Sequence, residues 1–186
     1  MIGHAANSNP KTVFDSKGTQ VFIFAIIEYP TRKLIIANST ANPTMSWVIQ
    51  QFRNCSISGE PFPKAIVHDR DGIYGHWLPK VLQDFECQSF KIPPRSPWEN
   101  PFIERFFLSL KHEILNRVPL VDNNHIQNLT LSYKSHFNNV RPHQGIGGKT
   151  PNYLETINVT SPDIENLKVE KVPELDGLVT KFWLAA

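Results

Sequence analysis

Apolar and polar positions along this chain follow two rhythms, one of strands and one of helices. Residues 20–28, QVFIFAIIE, are almost continuously apolar and rich in β-branched and aromatic side chains, the pattern of a strand buried on both faces. Residues 5–14, AANSNPKTVF, form a weaker strand before it, and Asp15-Ser16-Lys17-Gly18 between the two is turn chemistry. After Tyr29-Pro30-Thr31, residues 32–39 (RKLIIANS) read as a third strand, so the first forty residues predict a three-stranded antiparallel meander. A helix is expected over about 44–55, with Asn42 as N-cap, Pro43 at the first helical position, and Trp47, Val48, Gln51 and Phe52 supplying its period. A fourth strand at 64–68, a helix at about 76–86 and a fifth strand at 87–92 follow, then a helix at about 123–139. The tail, roughly 168–185, reads as a hairpin: KVEKVP, a turn at ELDG, and LVTKFWLA.

The strongest stripe lies in residues 96–115, SPWENPFIERFFLSLKHEIL. Asn100 is placed to cap a helix and Pro101 falls at its first position. Phe102, Ile103, Phe106, Phe107, Leu110 and Ile114 recur at spacings of three and four, a wide apolar face. Glu104 sits in the first turn between apolar neighbours, with Lys111 seven positions on, on the same face. A carboxylate at the edge of an apolar face is costly unless a metal ion or basic partner neutralises it. The plainer reading is a first-turn acid complementing the helix dipole. Upstream, KAIVHDRDGIYG (residues 64–75) runs from an apolar strand into His68-Asp69 and a turn. An acid just past the end of a buried strand is where α/β proteins put their chemistry. Asp69 and Glu104 are 35 positions apart.

Composition narrows the field without deciding it. A chain of 186 residues with 40% hydrophobic and 19% charged residues fits one globular domain with a real core. The net charge of +2 does not by itself argue for a nucleic-acid partner. Cys55 and Cys87 offer neither a disulfide framework nor metal-ligand spacing, which points to a reducing compartment. No apolar run reaches membrane length, the N-terminus has no signal-peptide pattern, and there is no repeat or low-complexity tract.

Four blocks together resemble the catalytic core of DDE transposases and retroviral-type integrases, above all bacterial insertion-sequence transposases with an integrase core. HDRDGIYG is similar to the second-Asp motif, and PPRSPWENPFIERFFLSLKHEIL to the catalytic-Glu motif with its basic residue seven positions on. YKSHFNNVRPHQGIGGKTP and VPELDGLVTKFWLAA resemble the downstream block and the closing tail. The resemblance implies a ribonuclease-H-like α/β fold: a mixed five-stranded sheet flanked by helices, with a short C-terminal hairpin-like tail. It implies a core over residues 1–150 and an extension over 151–186 that packs on the core or on a partner subunit. It also implies in-line phosphoryl transfer on DNA, in transposition or integration, with two Mg²⁺ (or Mn²⁺) ions held by three carboxylates. Asp69 and Glu104 match two of the three and are the expected metal ligands. Lys111, Arg105 and Arg95 become the expected DNA contacts, Lys111 by its place in the motif. The implied partners are transposon-end and target DNA, further copies of the chain, and an end-binding domain or chain, with no membrane. The implied setting is the bacterial cytoplasm, on DNA.

One residue departs from the pattern. Counting back from Gly18, the position of the family's first acid falls on Asn9, in a stretch where residues 1–14 contain no Asp or Glu. Asp15 belongs to the turn. Three readings therefore stand: an active enzyme with a weakened first ligand, an inactive DNA-binding or assembly-forming relative, and a ribonuclease-H-like nuclease. The family's usual N-terminal helix-turn-helix region is also not part of this sequence, as in a separately encoded core, a fragment or a decayed copy. His68 is read as a packed or surface histidine, Trp98 and Trp183 as packing residues, and Arg141-Pro142-His143-Gln144 mainly as a structural connection, with a contact to the DNA backbone as the alternative.

Overall fold

The computed structural model describes residues 5–59, 62–68, 77–92, 101–153, 168–174 and 177–185. Strands β1 (Ala5–Phe14), β2 (Gln20–Glu28) and β3 (Leu34–Thr40) form the expected antiparallel meander. Its first turn is tied by Asp15, whose Oδ1 accepts from the backbone N–H of Lys17 (2.9 Å) and Thr19 (2.7 Å). Gly18 takes the left-handed conformation there (φ 77°), which a side chain would resist. Strands β4 (Ala65–His68) and β5 (Gln88–Lys91) add parallel to β1, giving one mixed sheet in the order β3-β2-β1-β4-β5.

Both faces of this sheet are covered. Phe24 and Ile26 of β2 pack with α1 (Met45–Ile57) and α2 (Leu78–Asp84) through Val48, Phe52, Leu78 and Leu82. The alternate residues Val21, Ile23, Ala25 and Ile27 pack with α3 (Pro101–Leu110) and α4 (Asn123–Asn139) through Ile103, Phe106, Leu110, Tyr133 and Phe137. That two-sided burial is why residues 20–28 read as a continuous apolar run instead of an alternation. Cys55 and Cys87 are buried in the first layer as thiols outside any disulfide, and burial pushes the Cys87 thiol up to about 12. Both act as small apolar residues.

Two local expectations change. The cap of α1 is Thr44, whose hydroxyl accepts from Trp47 N–H (3.2 Å), and the helix begins at Met45. Thr44 has a side-chain acceptor at the right three-residue reach and takes the extended backbone of a cap, so Pro43 falls outside the helix. The expected helix through Ile114 is α-helical only to Leu110. It continues as one π-helical turn over Lys111–Leu115, closed by Asn116 N–H donating to Lys111 C=O (2.9 Å). The proposed cap Asn100 lies outside the described residues.

The outer edge of β3 is sealed by side chains of α4. Asn138 accepts from Leu34 N–H (2.9 Å) through Oδ1 and donates to Leu34 C=O (3.0 Å) through Nδ2. Lys134 donates to Ile35 C=O (2.5 Å), and Gln127 Oε1 accepts from both the N–H and the hydroxyl of Ser39. Gln127, Lys134 and Asn138 are spaced by seven and four, one stripe of the helix. An open strand edge is a row of unpaired donors and acceptors, and here the helix supplies their partners. Strands β6 (Lys168–Glu174) and β7 (Val179–Ala185) form a separate antiparallel hairpin, and Leu178 between them packs against the α3/α4 layer.

Asn138→Ala should therefore leave two buried backbone groups of Leu34 without partners. We expect a loss of about 2–3 kcal/mol and a melting temperature lower by roughly 4–12 °C. Calorimetry beside Asn128→Ala, an exposed change on the same helix, checks this; equal melting temperatures for the two variants would contradict it.

Candidate active site

The sheet topology sets out the site. His68, the last residue of β4, pairs in register with Ser8 of β1, so the chain leaves β4 one step from Asn9. Asp69 comes next and lies outside the described residues. Asn9 occupies a position in β1 opposite Ala25 of β2, and Ala25 belongs to the layer under α3. Helix α3 packs across β1 and β2. Asn9 and the end of β4 are thus neighbours in the sheet, and α3 lies over the strand that carries Asn9. His68 itself is fully buried, its Nε2 2.9 Å from Ser89 Oγ on β5. Of the packed and surface readings of this histidine, the packed one holds.

Glu104 is exposed in the first turn of α3, while Ile103, Phe106, Phe107 and Leu110 are buried on the other side. Its exposure removes the expected desolvation cost of an acid at the edge of an apolar face. Lys111 is exposed as well. Seven residues of α-helix bring the two within about 20° of one another around the axis and roughly 10 Å apart along it. They make one exposed strip with an acid at one end and a cation at the other, not an ion pair. Among the described residues no group of three or more His, Cys, Asp and Glu gathers into a metal-binding cluster. Arg105 is exposed next to Glu104. Arg95 and Trp98 lie outside the described residues, and Trp183 sits in β7 opposite Glu170.

A polar network that the sequence reading missed anchors the far end of this helix. Glu113, in the π-helical turn, accepts from Arg141 Nη2 (3.0 Å) and Nε (3.2 Å) through Oε1, and from the Tyr133 hydroxyl (2.8 Å) through Oε2. Arg141 Nη2 also reaches Ser109 Oγ (3.2 Å). Burial, with the hydrogen bond to Glu113, pushes the Tyr133 phenol well above its usual range, so it stays a donor. Charge-assisted hydrogen bonds of this kind are each worth about 1.5–3 kcal/mol. The four residues tie α3, the π-helical turn, α4 and the Arg141-Pro142 segment together. The one available signal was the spacing of Ser109 and Glu113, four apart on a helix, with a guanidinium downstream.

The following loop closes on the same layer. The His143 ring stands edge-on to Phe137 with centroids 4.4 Å apart, and its Nε2–H donates to the Phe137 carbonyl (3.0 Å). Between this loop, the β2–β3 turn and the start of α3 lies an open cavity of about 440 Å³, lined by Arg32, Phe102, Arg105, Arg141, Gln144 and Gly145 among others.

The comparisons with known proteins agree with this geometry. Residues 86–151 match the integrase core domain family. No curated protein matches the chain in sequence. Among solved structures, the chain is similar to one from the simian T-cell lymphotropic virus intasome, with TM-score 0.65, 16% identity, and coverage of 98% of this chain and 67% of that one. It is also similar to the HTLV-2 integrase catalytic core domain in complex with magnesium (TM-score 0.59, 13% identity, 81% and 95% covered). The catalytic domain of Mos1 mariner transposase gives TM-score 0.57 at 11% identity, with 73% and 71% covered. At these identities the likeness speaks for the fold, which is the ribonuclease-H-like one.

Burial holds His143 below its ordinary 6.5, with Arg141 and Arg32 acting the same way and the Phe137 carbonyl and Glu113 opposing. The unfolded chain then binds a proton near 6.5 that the folded chain takes up only at lower pH. The stability that neutral His143 contributes is complete above 6.5 and declines as pH falls below it. We expect His143→Gln, which keeps a donor for Phe137, to lose less melting temperature than wild type between about pH 7.5 and pH 5. Identical losses in the two proteins would contradict the assignment.

Proposed function

We propose that this chain is a DDE integrase/transposase catalytic core that carries out metal-dependent phosphoryl transfer on DNA, slowed by an amide in place of the first acid. The observation that carries this reading is Glu104. It stands exposed on a helix buried along its other side, within the segment that matches the integrase core, over the strand that carries Asn9.

In this reading Asp69 and Glu104 hold Mg²⁺ or Mn²⁺, and Asn9 adds one neutral oxygen. Hard oxygen donors of this kind suit either ion. When bound, a pair of such ions would stabilise the attacking and leaving oxygens of an in-line displacement. Asp69 and Glu104 supply the negative charge that gathers and orients the reacting phosphodiester's counter-ions, whereas Asn9 leaves the space between them poorly screened. Lys111, Arg105 and Arg95 grip DNA phosphates on either side and set the strand's register, without reading its sequence. The DNA partners are transposon ends and target, bound by an oligomer of this chain in the bacterial cytoplasm, with an end-binding domain or chain. The intasome and the trimeric and dimeric integrase cores among the similar structures support an oligomer. Asn9 also favours a second reading, a DNA-binding relative that has lost cleavage.

A nicking assay on supercoiled plasmid with Mg²⁺ or Mn²⁺ separates the two. We expect wild type to cleave slowly, Asn9→Asp to cleave about 10²–10³ times faster, and Glu104→Gln in that background to abolish the gain. Wild-type cleavage as fast as that of Asn9→Asp would remove Asn9 from the first-ligand position. No cleavage by either protein, with DNA binding intact, would favour the second reading. Lys111→Ala should weaken binding to DNA of any sequence alike and lower the salt slope by about one unit. An unchanged slope in anisotropy titrations would take Lys111 out of the interface.

A further inference from the structure

We propose that the cavity between the β2–β3 turn, the start of α3 and the loop after α4 seats one backbone phosphate of the bound DNA, clamped by Arg32 and Arg105. This rests on the DNA-binding reading above and adds a contact away from the Glu104–Lys111 strip. Three arginines line the cavity: Arg32, Arg105 and Arg141. Arg141 is already neutralised by Glu113 at 3.0 Å. Among the described residues, no carboxylate is bonded to Arg32 or Arg105, and none lines the cavity. A concave site with two cations that no described carboxylate compensates calls for an anion.

Arg32 is set in place before any ligand arrives. Its backbone is left-handed (φ 63°), one of two such non-glycine residues among those described. Its guanidinium lies 3.4 Å over the Phe102 ring, and Nη1 donates to the Tyr29 carbonyl. That arrangement holds the planar fork still while leaving other N–H groups free, as bidentate binding of a phosphate requires. Gly145 lies directly against the Arg32 guanidinium. A Cβ there would stand 3.5 Å from Arg32 Nε and 3.6 Å from Nη2. Arg105 follows Glu104 directly in α3, so a strand lying along the Glu104–Lys111 strip passes the mouth of the cavity. An acidic segment of a second copy of the chain would meet the same cations, but the shared helix favours DNA.

The test is the salt dependence of binding to a fluorescein-labelled duplex of about 20 base pairs and arbitrary sequence, by anisotropy. The proteins are wild type, Arg32→Gln, Arg105→Gln, the double variant and Gly145→Ala. One shared phosphate predicts a slope lower by about one unit in the double variant, and single losses of affinity that do not add. Gly145→Ala, which changes no charge, should weaken binding several-fold by crowding the Arg32 donors. Arg105 is exposed and its variant should keep the wild-type melting temperature, so the proposal stays testable if Arg32→Gln destabilises the chain. An unchanged slope in the double variant would overturn it. So would a fall of about two units, which signals two separate contacts, or wild-type affinity in Gly145→Ala. Altered self-association with unchanged DNA binding would assign the cavity to the second copy instead. If wild type shows no salt-dependent DNA binding, the broader reading fails with it; if it binds and only the cavity variants are silent, the cavity alone fails.

Discussion

Burial of β2 on both faces is the constraint from which the architecture follows. A strand that hides Phe24 and Ile26 on one side and Ile23, Ala25 and Ile27 on the other needs a helical layer above and another below. Helices α1 and α2 fill one side, α3 and α4 the other. Strand β1 is paired on one edge with β2 and on the other with β4, so it lies in the middle of the sheet. The position of Asn9 and the exit of β4 are therefore neighbours because the sheet is built that way, not because of any local contact. Helix α3 lies over β1 and β2 because its apolar face buries in the layer on that side of the sheet.

Polar contacts then fix what hydrophobic packing leaves free. Apolar stripes allow a helix to slide or roll by small amounts, whereas hydrogen bonds of fixed length do not. The stripe of Gln127, Lys134 and Asn138 locks α4 to the edge of β3. The carboxylate of Glu113 locks α3 to α4 and to the Arg141 segment. The π-helical turn is what brings Glu113 there. One extra residue in the turn rotates the chain after Leu110, so that Ile114 is still buried while Glu113 faces Tyr133 and Arg141. Irregular helix, in this case, is the geometry that satisfies an apolar and a polar partner at once.

The charges divide by the same logic. Arg141 is consumed by Glu113, whereas Glu104, Arg105 and Lys111 lie on solvent-exposed turns. The overall charge of +2 conceals this. Arg32, Arg105 and Arg141 line one cavity, and a net count cannot register where they sit.

The sequence alone determined the elements that rest on local pattern. The bounds of β1, β2, α4 and the C-terminal hairpin follow from periodicity and turn residues, and Pro101 marked the start of α3. The resemblance, carried above all by residues 68–75 and 93–115, pointed to the fold that the structure has, and singled out Asp69, Glu104 and the odd amide at Asn9. Pattern could not place the cap of α1, since Asn42 and Thr44 both look suitable and only the backbone conformation chooses between them. Nor could it show that α3 would widen into a π-helical turn, that Glu113 would find Tyr133 and Arg141, or that Arg32 would stand over Phe102 beside Arg105. Those pairs are 20, 28, 70 and 73 positions apart in sequence. Periodicity reports which face of an element is apolar; which polar groups meet across elements is decided only when the layers are packed together.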